Sequence, residues 1–371
     1  MSDARIRLGR FLSVPVYLHF SWFLVFALLT WTLAVGYFPQ TGPDLPAAAN
    51  WAKALVTALL FFASILLHEL AHAVVAMRHG IRIRSVTLFI FGGIAQMEGD
   101  PPSGSVEMKI AAIGPAVSLA LAGLFHLLAG WSALPGSGRG VARYLAFINL
   151  ALAIFNLVPA FPLDGGRVLR GFLWRSTGKL RATRIAAGAG TLFAYLLMVS
   201  GAFGLLTGTG IGGIWQILIG WFLKDASAGA YGGARLDELL RDLRVRDAMT
   251  AEAVTLPAHI SVAEAARDYF LKSGHGGYPV LRGDQLVGML CLRDVLGLGA
   301  EEREAASVQS AMRPLQAAIA IAAEEPLLTA MAQMARSGLG RLLVVDRDRL
   351  LGLVTMSAIL RHVRVREGLL A

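Results

Sequence analysis

The chain has 371 residues, of which 56% are hydrophobic and only 16% charged, and a formal net charge of +9. With a mean hydropathy of +0.60, this composition lies outside the range of soluble proteins and indicates a membrane protein long enough for more than one domain. The positive charge does not point to nucleic acid, because no basic stripe with interleaved aromatic residues accompanies it, and the single cysteine, Cys291, excludes an intramolecular disulfide.

Apolar stretches of spanning length fall at about Tyr17–Tyr37, Ala52–Met77, Met108–Gly130, Val141–Val158, Ile185–Leu206 and, shorter than the others, Ile211–Leu223. The first is too long for a cleavable signal, and no small-residue cleavage site clearly follows it. Basic residues set the orientation. With the N-terminus inside, the cytoplasmic side collects Arg5, Arg7, Arg10, Arg78, Arg82, Arg84, Lys109, Arg167, Arg170, Arg175, Lys179, Arg181, Arg184 and Lys224, against Lys53, Arg139 and Arg143 opposite. This bias predicts an even number of spans in a multi-pass cell-membrane protein, with both termini in the cytoplasm.

The second stretch contains His68-Glu69-Leu70-Ala71-His72. In an H-E-x-x-H pentad, two imidazoles at i and i+4 face one metal ion while the intervening Glu can act as general base. Three ionisable side chains inside a membrane span are costly enough that a functional reading is the default. Helical rise places His72 roughly 8–15 Å below the cytoplasmic surface, so water must reach it from that side.

Downstream, Ser85–Met97 is β-branched and aromatic, is interrupted by Gly92-Gly93, and is too short to span as a helix. It reads as a hairpin or edge strand, either a structural re-entrant turn or a surface on which an extended peptide adds as a strand. A catalytic zinc normally has three protein ligands. The best third candidate is Asp164, which follows Pro159 and Pro162 and precedes Gly165-Gly166. Irregular backbone at membrane depth is tolerated where it lines a cavity or lies buried in protein. The alternatives for Asp164 are a helix cap or a partner for Arg167.

The pentad and the later N-x-x-P-x-x-P-x-D-G-G-R run (Asn156 to Arg167), with Gly92-Gly93-Ile94-Ala95, Gly114-Pro115 and Arg10–His19, resemble the site-2 protease family of intramembrane zinc metalloproteases. The resemblance covers residues 5 to about 225. It implies one zinc per chain held by His68, His72 and Asp164, with Glu69 as catalytic acid/base. Asn156 would contact substrate or the oxyanion, with an interhelical hydrogen bond as its alternative role. Gly92, Gly93, Ile94 and Ala95 would bind substrate, and single-span membrane proteins would be cleaved within their transmembrane segments. His19 and His126 read as interfacial or packing residues.

After Lys224 the composition changes. Ala226–Gly233 reads as a small-residue linker, and charges return at soluble density from Arg235. Val245-Arg-Asp-Ala-Met249 is echoed by Val308-Gln-Ser-Ala-Met312, and Leu286–Leu296 by Leu350–Leu360. A period of about sixty residues indicates a tandem module. It resembles a pair of cystathionine-β-synthase-type (CBS) domains, which implies adenine-nucleotide sensing and homodimerisation. The expected Thr/Ser and Asp pair is split, however: Cys291 with Asp294 in the first copy, Thr355 with Ala358 in the second. Asp294 and Thr355 are the candidate nucleotide contacts.

The expected fold is a polytopic α-helical membrane protein of about six transmembrane helices with a small membrane-associated β-hairpin or sheet, followed by a cytoplasmic α/β CBS pair. The expected divisions are a protease domain over 1–225, a linker over 226–241 and tandem repeats over 242–371, at about 242–300 and 305–365. The rival reading is a CBS-regulated transporter or channel with a metal site. It would call for polar residues scattered over several spans, whereas here they concentrate in one pentad and one broken helix.

Overall fold

The structure is a computed structural model that describes residues 5–41, 46–133, 135–208, 211–316, 319–347 and 349–370. The chain divides into two compact units, Met1–Ala234 and Arg235–Ala371.

The first unit opens with strands β1 (Arg5–Phe11) and β2 (Val14–His19), ahead of any membrane helix. The sequence expectation of a span from Tyr17 is corrected here: the first span begins at Ser21. Val14, Val16 and Leu18 are buried while the residues between them are not, a period of two that marks a strand. Helix α1 (Ser21–Thr32) continues through a π-helical turn at Leu33–Tyr37 into α2 (Phe38–Thr41). Helix α3 (Ala47–Arg78) follows, then β3 (Arg82–Phe89) and β4 (Gly92–Glu98). The four strands form one sheet in the order β1-β2-β3-β4. β3 and β4 are an antiparallel hairpin, β2 runs parallel to β3, and β4 is a sheet edge. The sheet packs on α3, with Val14, Val16 and Val86 against Ala73, and Leu18 and Leu88 against Phe62 and Ile65.

Helix α3 buries Ala54, Ala58, His68, His72, Ala73 and Ala76 and exposes Leu55, Leu59, Leu60 and Leu67. Phe62, Ile65 and Leu70 are buried as well, but much of the buried face is small, as in a helix packed in lipid, where close backbone approach holds helices together. Helices α4 (Gly104–Gly130) and α5 (Gly136–Leu157) follow. α5 stops before Pro159, and after a short irregular segment α6 (Asp164–Thr177) begins at Asp164. A Cβ on Gly165 would overlap the carbonyl oxygens of Leu157 and Val158, so glycine is needed for the start of α6 to lie against the end of α5. Helix α7 (Lys179–Leu206) leads to α8 (Ile211–Leu240).

Among the described residues, five helices are long and apolar enough to cross a membrane: Ser21–Thr41, Ala47–Arg78, Gly104–Gly130, Gly138–Leu157 and Lys179–Leu206. The sixth stretch, expected at Ile211–Leu223, is the apolar first part of α8. The small-residue stretch read as a linker is helical, because Ala226–Gly233 lies inside α8. Small side chains let the helix approach the loop before α6, and the buried Ser227 donates its hydroxyl to Phe161 O at 2.6 Å.

The second unit carries two lobes. One sheet has the order β5 (Leu256–Pro257), β6 (Gly277–Arg282), β7 (Gln285–Cys291), β8 (Arg313–Pro314). The other has β11 (Arg349–Thr355), β10 (Arg341–Asp346), β9 (Ala320–Ala322). The internal repeat shows in the cores. Tyr278, Val280, Leu290 and Val295 of the first match Leu342, Val344, Val354 and Ile359 of the second, sixty-four positions apart. The lobes differ from the sequence repeats in one respect: their leading segments are exchanged. Val245 and Ala248 lie in the core with Leu327 and Leu342, and Thr250 pairs with Leu353. Val308 lies in the core with Leu256 and Tyr278, and its N–H donates to Ile260 O.

Candidate metal centre

His68 and His72 lie one turn apart on the buried face of α3, and the start of α6 brings Asp164 opposite them. All three are less than a tenth exposed. The Nε2 atoms of His68 and His72 stand 3.1 and 3.2 Å from the same oxygen, Asp164 Oδ2, and the three candidate ligand atoms all lie within 4.8 Å of one another. Donors around a tetrahedral zinc would be separated by roughly 3.3 Å, given bonds of about 2.0–2.1 Å.

Hydrogen bonding supports a cation among them. His72 Nδ1 is 2.6 Å from Ile110 O; a carbonyl only accepts, so Nδ1 carries a proton. In the neutral imidazole Nε2 is then a lone pair, and it faces a carboxylate oxygen that is also an acceptor. Two acceptors at this distance need a proton or a metal ion between them, and Asp164 Oδ2 faces two imidazoles. His68 Nδ1 lies 2.9 Å from Ser118 Oγ. Outer hydrogen bonds of this kind fix the ring orientation of metal-binding histidines. Helix α4 supplies both outer partners, and sequence reasoning missed both. Ser118 is visible in the sequence as a lone hydroxyl in an apolar span, whereas the Ile110 contribution is a main-chain carbonyl, which carries no sequence signal.

Glu69 sits between the histidines, partly buried. The edge strand runs over it: a Cβ on Gly93 would overlap Glu69 Cγ and stand 3.1 Å from Oε1. Gly92, Gly93, Ile94 and Ala95 thus form the start of an edge strand beside the candidate base, with Ile94 exposed. Asn156 is on the last turn of α5, one residue before the carbonyl that Gly165 abuts. Its amide donates to Leu152 O at 3.0 Å, one turn back in its own helix.

In the second unit, the candidate nucleotide contacts are engaged locally. Arg313 donates to both carboxylate oxygens of Asp294, with Nη2 to Oδ1 at 2.8 Å, and Cys291 N donates to Oδ2 at 3.2 Å. Thr355 Oγ1 accepts from Ala358 N at 3.2 Å. Where a hydroxyl is expected, Cys291 presents a buried thiol whose pKa burial pushes up, so it stays protonated and is a weak donor.

Gly114 on α4 faces the two imidazoles. A Cβ there would come within 2.6 Å of His68 Nε2 and closer still to His72 Nε2. Gly114→Ala should therefore lower zinc content well below that of the wild-type protein while leaving helicity intact or slightly raised, since alanine is the better helix former. Elemental analysis alongside circular dichroism checks this; zinc retained at the wild-type level would mean that the three donors meet elsewhere.

The profile of "Peptidase family M50" matches residues 56–136 and 132–200, and that of "CBS domain" matches 245–301 and 308–365. The chain is similar to "Putative zinc metalloprotease Rip3" of Mycobacterium tuberculosis, at 38% identity over 98% of this chain and 94% of the relative. It is also similar to "Zinc metalloprotease MJ0392" of Methanocaldococcus jannaschii, at 28% identity over 98% and 97%. Among solved structures, "Site-2 Protease from Methanocaldococcus jannaschii" matches with 30% identity over 61% of this chain and 95% of that chain, at a TM-score of 0.45. With the profile matched over the span that holds the histidine pentad and over Asp164, and a relative aligned almost end to end, the chain belongs to peptidase family M50, the site-2 protease family of zinc metalloproteases, and carries a tandem CBS-domain pair.

Proposed function

We propose that the protein cleaves transmembrane segments of single-span membrane proteins, with His68, His72 and Asp164 holding one zinc per chain and Glu69 as acid/base. The observation that carries this reading is the convergence of the three donors inside apolar helices, with Glu69 between the two histidines. Zinc, when bound, supplies a Lewis acid that polarises the scissile carbonyl and acidifies water. Glu69 takes the proton of the attacking water and passes it to the leaving amine. Asn156 Nδ2, released from Leu152 O, donates to the oxyanion that develops on the carbonyl. An intact substrate helix hides its carbonyls in i→i−4 bonds, so the substrate must unwind. The free edge of β4 at Gly92–Ala95 offers it a strand partner beside Glu69. The family membership sets aside the transporter alternative.

One cleavage assay on a single-span substrate separates these roles. Glu69→Gln should keep about one zinc per chain and lose cleavage, whereas His72→Ala and Asp164→Ala should lose zinc as well. Prolines placed singly at Ile94 and Ala95 test the strand. Successive N–H groups of a strand point to opposite sides, so one of the two variants removes an outward donor without touching β3. That variant should keep zinc and lose tenfold or more in cleavage. Proteolysis undiminished in Glu69→Gln would overturn the assignment, and full activity in both proline variants would leave the hairpin a structural element.

The basic-residue bias supports a cytoplasmic N-terminus, access to the site from the cytoplasm and, with the apolar start of α8 as a sixth crossing, a cytoplasmic second unit. On this reading 1–225 is the protease domain, and 226–241 joins it to the CBS pair at 242–371. Cysteines replacing Arg82 and Ser176, in a Cys291→Ser background, should react with impermeant thiol reagents only from the cytoplasmic face. Labelling from the opposite face alone would invert the topology.

The CBS pair is proposed to sense an adenine nucleotide through Asp294 and Thr355 and to mediate homodimerisation. A ribose at Asp294 must displace Arg313, and losing a charged hydrogen bond costs about 1.5–3 kcal/mol, so the affinity should be modest. Calorimetry of the purified full chain with ATP, ADP and AMP, with sedimentation on the same sample, measures both properties. A monomer silent at millimolar nucleotide would refute both.

A further inference from the structure

Glu107 is fully buried near the start of α4. Its Oε1 accepts from Arg170 Nε at 2.8 Å and from a second N–H of the same guanidinium, and Arg167 Nε stands 4.0 Å from that oxygen. Among the described residues, Oε2 has no partner. Removing a carboxylate from water and leaving one oxygen unsatisfied is expensive, and a well-packed apolar pair would join two helices at least as well. The pair therefore needs a role beyond adhesion, and its placement supplies one.

Arg167 and Arg170 lie three and six residues after Asp164 on α6, along one helix face. On α4, Glu107 shares a face with Ile110, which fixes His72, with Gly114, which leaves room for the donors, and with Ser118, which fixes His68. At the same crossing the two backbones touch: a Cβ on Gly104 would overlap Gly171 O. Arg170 also lies over the Phe161 ring at 4.9 Å, in the irregular segment that leads into Asp164. Glycine contacts set how close α4 and α6 come but leave α6 free to roll about its axis. A two-pronged hydrogen bond from a guanidinium to one carboxylate oxygen removes that freedom.

From this geometry we infer that Glu107 is a positioning residue of the metal centre, which acts through Arg170 and Arg167 to fix the roll of α6 and so the place of Asp164 Oδ2 between the two imidazoles. The inference rests on the reading of His68, His72 and Asp164 as zinc ligands.

The test replaces the pair by apolar residues. Glu107→Leu with Arg170→Met removes the directional bond but keeps a filled crossing, so the full-length double variant should melt at or above the wild-type temperature. Its zinc affinity, measured by competition with a chromophoric chelator, should fall about tenfold to a hundredfold, the usual effect of an outer partner of a metal ligand. The rate kcat should drop while KM holds, because the substrate strand at β4 is untouched. Glu107→Asp, which retains a carboxylate, should recover part of the zinc affinity. Should the double variant not fold, Glu107→Gln takes the same measurements. Wild-type zinc affinity and kcat in a folded variant would overturn the inference and leave the pair as a brace. Wild-type protein without zinc would instead overturn the ligand assignment.

Discussion

A carboxylate and two imidazoles cannot face one another as bare acceptors in an apolar helix bundle. His72 Nδ1 is committed to the Ile110 carbonyl, so its Nε2 and the Asp164 oxygen repel unless a cation lies between them. The surrounding structure accommodates that requirement. Helix α3 is long, and the small residues Ala73 and Ala76 lie on its buried face beside His72, so neighbours come close enough to supply hydrogen-bond partners. The chain between α5 and α6 breaks where a regular helix would carry Asp164 away from the histidines. Glycine at 114 keeps the space between the donors clear.

Helix α4 contributes none of the three donors, yet it touches both histidines and the arginines that follow Asp164. Within one face it offers a carbonyl to His72, a hydroxyl to His68, a missing side chain above both, and a carboxylate that holds the arginines of α6. The reactive groups are thus divided between helices that present them and one helix that orients them. The sheet, for its part, places a strand edge over Glu69. Hydrolysis within a membrane needs both an ordered polar site and an extended substrate, and here a strand edge lies beside the glutamate that separates the two histidines in sequence.

The helix that carries the two candidate histidine ligands was legible in the sequence because its signal is local: histidines at i and i+4 need only one turn of helix. Asp164 was legible through its neighbours, since two prolines and two glycines at membrane depth mark a break in need of a reason. Ile110 was invisible, being a backbone contribution, and Glu107 was overlooked because its partner lies sixty-three residues away. The start of the first span was placed too early for a different reason. A strand buried against lipid-facing helices is as apolar as a membrane helix, so hydropathy merged β2 with α1. Only the period-two burial of Val14, Val16 and Leu18 distinguishes them. The helical conformation of the small-residue segment 226–233 was not legible, because composition reports chemistry rather than conformation.

The exchange of leading segments in the second unit bears on how the chain is made. Repetition in a sequence suggests beads that close one after another as they leave the ribosome. Here the first lobe lacks Val308 until the second copy has begun to emerge, and Val245 stays without its core until Leu327 and Leu342 arrive. Neither bead can close on its own residues, so cutting the chain at the sequence boundary between the copies would leave two halves that each hold the other's first helix. The pair is one folding unit written twice, and its completion waits on the strands of the second copy.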